Sequence, residues 1–594
     1  MAQSELGRQY EVYYEEMVAA ISEAEAVLRE AAVASTTLLE SVGEQPWQQT
    51  LEQKLEEALT GVKRASHFLI DNVLFDWLLR EKEATVSTGE HLDSLYKELD
   101  ILDELFERQG KTLAHLARML CDWQLPNEAQ PRQVDVMVQH NCRALLVVMQ
   151  HFAWNSIIVS VQPPMVLIKC KETDAKRKVR YPMRTEIRLL GGAALGCRNY
   201  TAGKVICVLI DDTEAKDLLQ TPGYTACEGD KDFHLISNEV PWKLTGGRFS
   251  ATFEKMRPNS RKKVEKRQYV ADLRYYLTFQ VELTGDFNIR IHGYKLSLPV
   301  AVLVHDFWKA DASMFWERAF SQGPGILAPV RSEVPWIQFR TAIQHRFMAM
   351  VQGDDMRTPR PLNEEALVAL REMLRCGSED GLVKRKDFLE TPIQTPTGVV
   401  LNFCFYEWFV SATTLVNKVM LPQYNAGLIQ VFMQKEVAEE RVRSCSEGAL
   451  LIRFSTTAIG DVKLTCYVPP HKRGGLAGLI NQSQRKAGLC HLLAEQSSLR
   501  AISSIGAVVK SNPSPIFDAL RFVYPQRELS ELWLCDELED RPASAKSSRS
   551  TPKPSALYFY DNCLDEMERL QIHVPVIRLR KRLVANAGCS CGCS

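Results

Sequence analysis

In Gly448-Ala449-Leu450-Leu451-Ile452-Arg453-Phe454-Ser455 a single arginine sits inside an otherwise apolar run. A run this short and apolar reads as a buried strand. A guanidinium taken out of water costs several kcal/mol unless it is paired and hydrogen-bonded. The residues alone leave two readings open: Arg453 turns to a local carboxylate or the sheet edge, or it is held for an external anion. Two basic clusters also carry chemistry. Lys169, Lys171, Lys176, Arg177, Lys178, Arg180 and Arg184 are opposed only by Glu172 and Asp174. Lys255, Arg257, Arg261, Lys262, Lys263, Lys266 and Arg267 are opposed by Glu265. Both suit contacts to a phosphate backbone. Tyr558 and Tyr560 follow a Ser-, Pro- and Lys-rich stretch, Asp540 to Ala556, which reads as a tether.

Other features carry less. Cys589, Cys591 and Cys593 alternate without a fourth ligand, so no metal site is expected. Gly474-Gly475-Leu476-Ala477-Gly478 lacks the Lys-Ser/Thr of a phosphate-binding loop, and neither a zincin motif nor a nucleophile elbow occurs. No enzyme and no cofactor are expected.

The elements that hold these residues follow from length and periodicity. A chain of 594 residues exceeds one hydrophobic core and implies several domains. Its 45% hydrophobic and 24% charged residues are those of an ordinary globular protein. No apolar run reaches membrane-spanning length and no signal-like start occurs, so a cytosolic or nuclear protein is expected, without a membrane partner. The sixteen cysteines are accordingly expected as reduced, mostly buried thiols. With a net charge of −1, nucleic-acid binding has to come from local clusters.

Met17, Ile21, Ala24, Leu28, Ala31, Leu38 and Val42 form one helical seam; Leu51, Leu55, Ala58, Val62, Ala65, Leu69 and Val73 form a second. Helices around Leu92 to Leu120 and Pro131 to Phe152 complete a four-helix, coiled-coil bundle over 1–158. Thr185 to Leu190, Lys204 to Ile210 and Tyr276 to Val281 then read as strands of an antiparallel β-sandwich over 159–305. A helical connector with Trp316, Trp336 and an amphipathic Asn363–Leu374 fills 306–402; an α+β module follows over 403–537, and a tail over 538–594.

The Arg453 strand resembles the central strand of an SH2 domain, and the whole chain resembles the STAT family, the signal transducers and activators of transcription. Phe405-Tyr406-Glu407-Trp408-Phe409, Lys418-Val419-Met420-Leu421-Pro422, Gly427 to Glu436, Phe522-Val523-Tyr524-Pro525, Leu298 to Val304 with Phe315-Trp316, and Glu186 to Leu190 follow in family order. The resemblance implies an immunoglobulin-like β-sandwich DNA-binding domain, a helical linker and an SH2 domain, in a form lacking the family's amino-terminal domain.

In the SH2 module it implies that Arg453 grips phosphotyrosine by a bidentate contact, with Lys435 as a second charge and Ser455, Thr456 and Thr457 as secondary ligands. Lys178 falls where the family contacts DNA, Arg180, Lys262 and Lys263 fall in the accompanying loops, and His305 stands where an asparagine is usual. The implied function is a latent cytoplasmic factor: a tyrosine kinase phosphorylates Tyr558 or Tyr560, two copies or a receptor peptide engage Arg453, and the dimer enters the nucleus to bind duplex DNA. The alternative is an SH2 adaptor that keeps this framework without regulated transcription.

Overall fold

The computed structural model describes residues 5–37, 46–86, 90–123, 133–168, 183–196, 204–220, 229, 233–260, 273–303, 307–325, 328–351, 359–395, 398–417, 421–425, 429–444, 449–459, 462–467 and 489–491. The chain divides into two compact units. One comprises Met1–Thr85, Glu90–His305 and Glu317–Pro329, the other Val86–Gly89, Asp306–Trp316 and Val330–Ser594.

The first unit opens with helices α1 (Glu5–Thr37), α2 (Pro46–Phe68), α3 (Phe75–Ala84), α4 (Glu90–Cys121) and α5 (Gln133–Asn155). α2 begins on Pro46, where a missing N–H costs nothing. The ion pairs Lys54–Glu23 and Arg64–Glu16 set α1 and α2 antiparallel. Gly61 lets the two backbones approach, since a Cβ there would lie 3.2 Å from the Met17 Cα. Every described seam residue of both helices is buried. The second seam carries an extra residue, stepping Leu69, Val73, Trp77, and a π-helical segment at Leu69–Leu74 absorbs it, so α2 and α3 keep one apolar face inward.

Strands β1 (Ile157–Val161), β2 (Val166–Ile168), β3 (Met183–Leu189) and β4 (Lys204–Asp211) precede helix α6 (Asp212–Gln220). After them come β5 (Phe233–Ile236), β6 (Glu239–Pro241), β7 (Lys243–Thr245), β8 (Arg248–Ser260), β9 (Tyr275–Thr284), β10 (Arg290–Leu296) and β11 (Ala301–Leu303). One antiparallel sheet runs β1-β3-β8-β5, with β7 also on β8; the other runs β10-β9-β4-β6, and β2 pairs with β11 in parallel. Their inner faces meet, as the Phe253 and Phe279 rings do at 5.7 Å.

Helices and sheets of this unit share one core. The joint between them is polar and closed: buried Arg188 of β3 pairs with Asp103 and with Asp100 (3.2 Å) of α4. Gly191 N donates to Asp103 Oδ1 at 2.6 Å. At φ +63°, with a Cβ position 2.6 Å from the Phe106 carbonyl carbon, this residue has to be glycine.

Helix α7 (Phe307–Phe320) carries the division between the units. On the first unit's side, Arg318 donates to Pro163 O (3.0 Å) and twice to Pro299 O (3.0 and 2.9 Å), the carbonyls just ahead of β2 and β11. Glu81 lies buried near this guanidinium and the Gln162 side chain.

The second unit continues with β12 (Glu333–Pro335), α8 (Trp336–Met350), α9 (Glu364–Met373), β13 (Leu382–Lys384), α10 (Arg385–Leu389), β14 (Pro392–Gln394) and β15 (Val400–Cys404). Then follow α11 (Phe405–Leu415), α12 (Leu421–Asn425), β16 (Ile429–Gln430), α13 (Lys435–Arg443), β17 (Ala449–Phe454), β18 (Val462–Tyr467) and β19 (Leu489–His491). The last four strands form one sheet, β16-β17-β18-β19, with β16 parallel to β17 and the rest antiparallel. α9 is capped by Asn363, whose Oδ1 accepts from Ala366 N at 2.9 Å. A chain of aromatic contacts, Phe315–Phe388, Phe388–Phe405, Phe405–Phe409 and Phe409–Phe432, runs from the helices to the sheet. Among the described residues no helix is long and apolar enough to cross a membrane.

Burial pushes the Glu81 carboxyl up to about 8 from an ordinary value of 4.5, against the opposing pull of Arg318 and Gln162. The folded chain therefore keeps a proton that the unfolded chain has lost, and Glu81 makes stability fall as pH rises across that interval. Urea unfolding of wild type and Glu81→Gln at about pH 5 and about pH 8 reads this directly. The variant should gain on the wild type by a few kcal/mol between the two conditions; a constant difference contradicts the assignment.

Candidate functional site

Four arginines are described as buried, and three of them have their charge answered by the chain itself, although the Arg188 Nε, like that of Arg453, has no hydrogen-bond partner. Arg188 has its two aspartates and Arg318 its carbonyls. Arg346 donates to Asp311 Oδ1 at 2.6 Å while the Tyr406 hydroxyl donates to Asp311 Oδ2 at 2.5 Å, so that charge is neutralised and held. Arg453 is the exception. It is 5% exposed, next to last in β17; among the described residues its Nη1 reaches only the adjacent Phe454 O at 3.3 Å, and its Nε has no partner. No carboxylate among the described residues lies within ion-pairing distance of it. Burial pushes the guanidinium below its ordinary value, and Glu436 and Glu439 of α13 oppose that shift without pairing.

The strands explain the position. β17 is internal to its sheet, with Gln430 opposite Arg453 on the parallel side and Lys463 opposite it on the antiparallel side. Gln430 is itself buried; its side-chain oxygen accepts from Asn363 at 3.4 Å, and its Nε2 has no partner. Two unpartnered buried donors thus stand in register on neighbouring strands. Their combined cost, about 1–3 kcal/mol each, is what a site kept for an acceptor carries. Gln430 was not legible in the sequence, because its role depends on a parallel strand pairing that no local pattern announces.

Of the other residues expected here, Lys435 is the first residue of α13, exposed, with Nζ 3.6 Å from Glu439. Ser455 is buried directly after the strand, and its Oγ accepts from Thr457 N at 3.3 Å and contacts Thr457 Oγ1 at 3.2 Å. The Trp408 indole donates to Ser455 O at 2.7 Å, tying the start of this loop to α11. Thr456 is half-buried and Thr457 exposed. Arg453, Ser455 and Thr457 are therefore gathered at one strand end, with Thr456 between them.

Lys178, Arg180, Lys262, Lys263, His305, Tyr558, Tyr560 and the terminal cysteines lie outside the described residues. The strands flanking the basic segments are described, and they converge. β2 and β11 end side by side, Ile168 opposite Leu303, so the chain leaves toward 169–182 and 304–306 from one place. β3 enters opposite the far end of β8, Met183 against Met256. The antiparallel bridge Tyr275–Val300 brings the chain from 261–272 in alongside β11. Among the described residues no group of three or more His, Cys, Asp or Glu is placed to hold a metal.

The family model described as "Signal transducer and activator of transcription b N-terminal" matches residues 28–145, which begin in α1 and end in α5. Over 441 residues, 71% of this chain and 76% of the other, the sequence is 28% identical to "Signal transducer and activator of transcription b" of Caenorhabditis elegans. The chain is thus similar to the signal transducers and activators of transcription over most of its length. Arg453 is buried without a counter-ion among the described residues, while Arg346 in the same unit is paired with Asp311.

This contrast is measurable as stability. Arg453→Met removes a buried charge that nothing among the described residues neutralises and should leave the second unit unchanged or stabilise it by about 1–3 kcal/mol. Arg346→Met strands Asp311 and should cost about 3–5 kcal/mol. Urea unfolding followed by tryptophan fluorescence distinguishes them; equal losses in both variants contradict the contrast.

Proposed function

We propose that the chain is a phosphotyrosine-regulated transcription factor in which Arg453 binds a phosphotyrosine. The observation that carries this reading is the buried guanidinium with neither counter-ion nor full hydrogen bonding, the state a dianionic phosphate would complete. Lys435 adds a second positive charge, Ser455, Thr456 and Thr457 supply hydroxyls and backbone N–H groups, and Gln430 offers one further donor. On this reading the chain comprises a coiled-coil bundle (1–158), an immunoglobulin-like β-sandwich (159–305), a helical linker (306–402), an SH2 domain (403–537) and a tail (538–594). In the tail, Tyr558 or Tyr560 is the residue that a kinase modifies.

Reciprocal insertion of that phosphotyrosine into Arg453 of a second copy gives a two-fold dimer, and the dimer moves from cytoplasm to nucleus. Its DNA contacts come from Lys178, Arg180, Lys262, Lys263 and His305. The convergence of the strand ends that flank these segments supports one shared DNA face. Contacts of this kind are dominated by phosphate, so affinity falls by close to one log unit per neutralised phosphate for each log unit of salt.

The test is to phosphorylate the full chain with a broad tyrosine kinase, measure its mass in solution beside Arg453→Met, and titrate duplex DNA at low and moderate salt. A phosphate-dependent dimer that Arg453→Met abolishes, and that binds DNA less when Lys262 and Lys263 become glutamine, is the expected result. A phosphorylated monomer without DNA affinity overturns it and leaves the adaptor reading.

A further inference from the structure

The end of α4 and the middle of α5 bring two thiols into contact outside any site described so far. Cys121 is the last residue of α4 and is exposed; Cys142 lies within α5 and is partly exposed. Their sulfurs are 2.9 Å apart. A disulfide bond is about 2.05 Å long, so closure asks for less than about 1 Å of relative movement of the sulfurs. Cys207, Cys376 and Cys404 are buried.

We propose that Cys121 and Cys142 are a reversible dithiol–disulfide pair on the bundle surface, whose reaction partner is a small disulfide of the glutathione type. The exposed Cys121 attacks first: its thiolate takes one sulfur of oxidised glutathione, forms a mixed disulfide and expels one glutathione thiolate. The Cys142 thiolate then attacks the Cys121 sulfur, closes the intramolecular bond and releases the second glutathione. Two protein thiols are oxidised and one glutathione disulfide is reduced to two thiols, with the two protons passing to the products.

The surroundings suit equilibrium exchange better than fast peroxide sensing. Burial, the hydrogen bond to Cys121 and the charge of a Cys121 thiolate all raise the Cys142 thiol, pushing it up to about 12. Once Cys121 is capped, the last two causes vanish, and the second step is eased as the first is completed. The closed bond would tie the last residue of α4 to α5 and make 122–141 a covalent loop.

The experiment equilibrates the full, reduced chain in buffers of graded oxidised-to-reduced glutathione, quenches with acid, alkylates and maps peptides by mass spectrometry. The expected result is that Cys121 and Cys142 lose alkylation together and appear in one linked peptide, while Cys142→Ser instead accumulates the glutathione adduct on Cys121. Independent alkylation of the two residues at every ratio overturns the proposal. So does a wild-type Cys121 adduct beside a free Cys142.

Discussion

A guanidinium buried on an internal strand, without a counter-ion among the described residues, is the constraint on which the second unit turns. Folding has to offset the desolvation of Arg453 with contacts made elsewhere, and the unit supplies them generously. Its helices and sheet share a run of aromatic packing from Phe315 to Phe432, and its other deep charge, Arg346, is closed off by Asp311 and Tyr406. The unpaired charge is tolerated because it sits on an internal strand, hydrogen-bonded on both edges, that cannot easily rearrange to relieve it. Stability given up at one residue and recovered in the surrounding core is what a binding site looks like before its ligand arrives.

The first unit solves a different problem, holding two kinds of secondary structure in one core. Its joint uses charges that are fully answered: Arg188 with Asp100 and Asp103, and Arg318 with the Pro163 and Pro299 carbonyls. Arg318 acts as a staple at the entrances of β2 and β11, and those strands end together where the basic segments leave the sheet. On the proposed function, phosphate contacts need positive charge presented from a fixed base more than they need a particular loop shape, and a stapled pair of strands would provide that base.

Much of this was legible in the sequence. The heptad spacing from Met17 to Ala31 and from Leu51 to Val73 gave the bundle core, because helical burial repeats locally. The apolar run around Arg453 gave β17 to the residue, Ala449–Phe454. The π-helical step at Leu69 was also available, written in the successive four-residue spacings to Trp77. What local pattern did not carry was partnership over distance. The Asp311–Arg346–Tyr406 closure, the pairing of Gln430 with Arg453 and the meeting of Cys121 with Cys142 each join residues whose own neighbourhoods say nothing of the other. The basic clusters were plain in composition, whereas their common origin at one end of the sheets required the strand registers.

The central claim is that Arg453 is kept unpaired for a phosphate on tyrosine. Calorimetric titration of the full chain with peptides spanning residues 552–566, phosphorylated at Tyr558 or at Tyr560, tests it most directly. The account predicts that one phosphopeptide binds, that its unphosphorylated form does not, and that folded Arg453→Met weakens it by about 2–5 kcal/mol, the loss expected when one partner of a buried charge pair is truncated. Equal affinity of wild type and Arg453→Met for that peptide would contradict it.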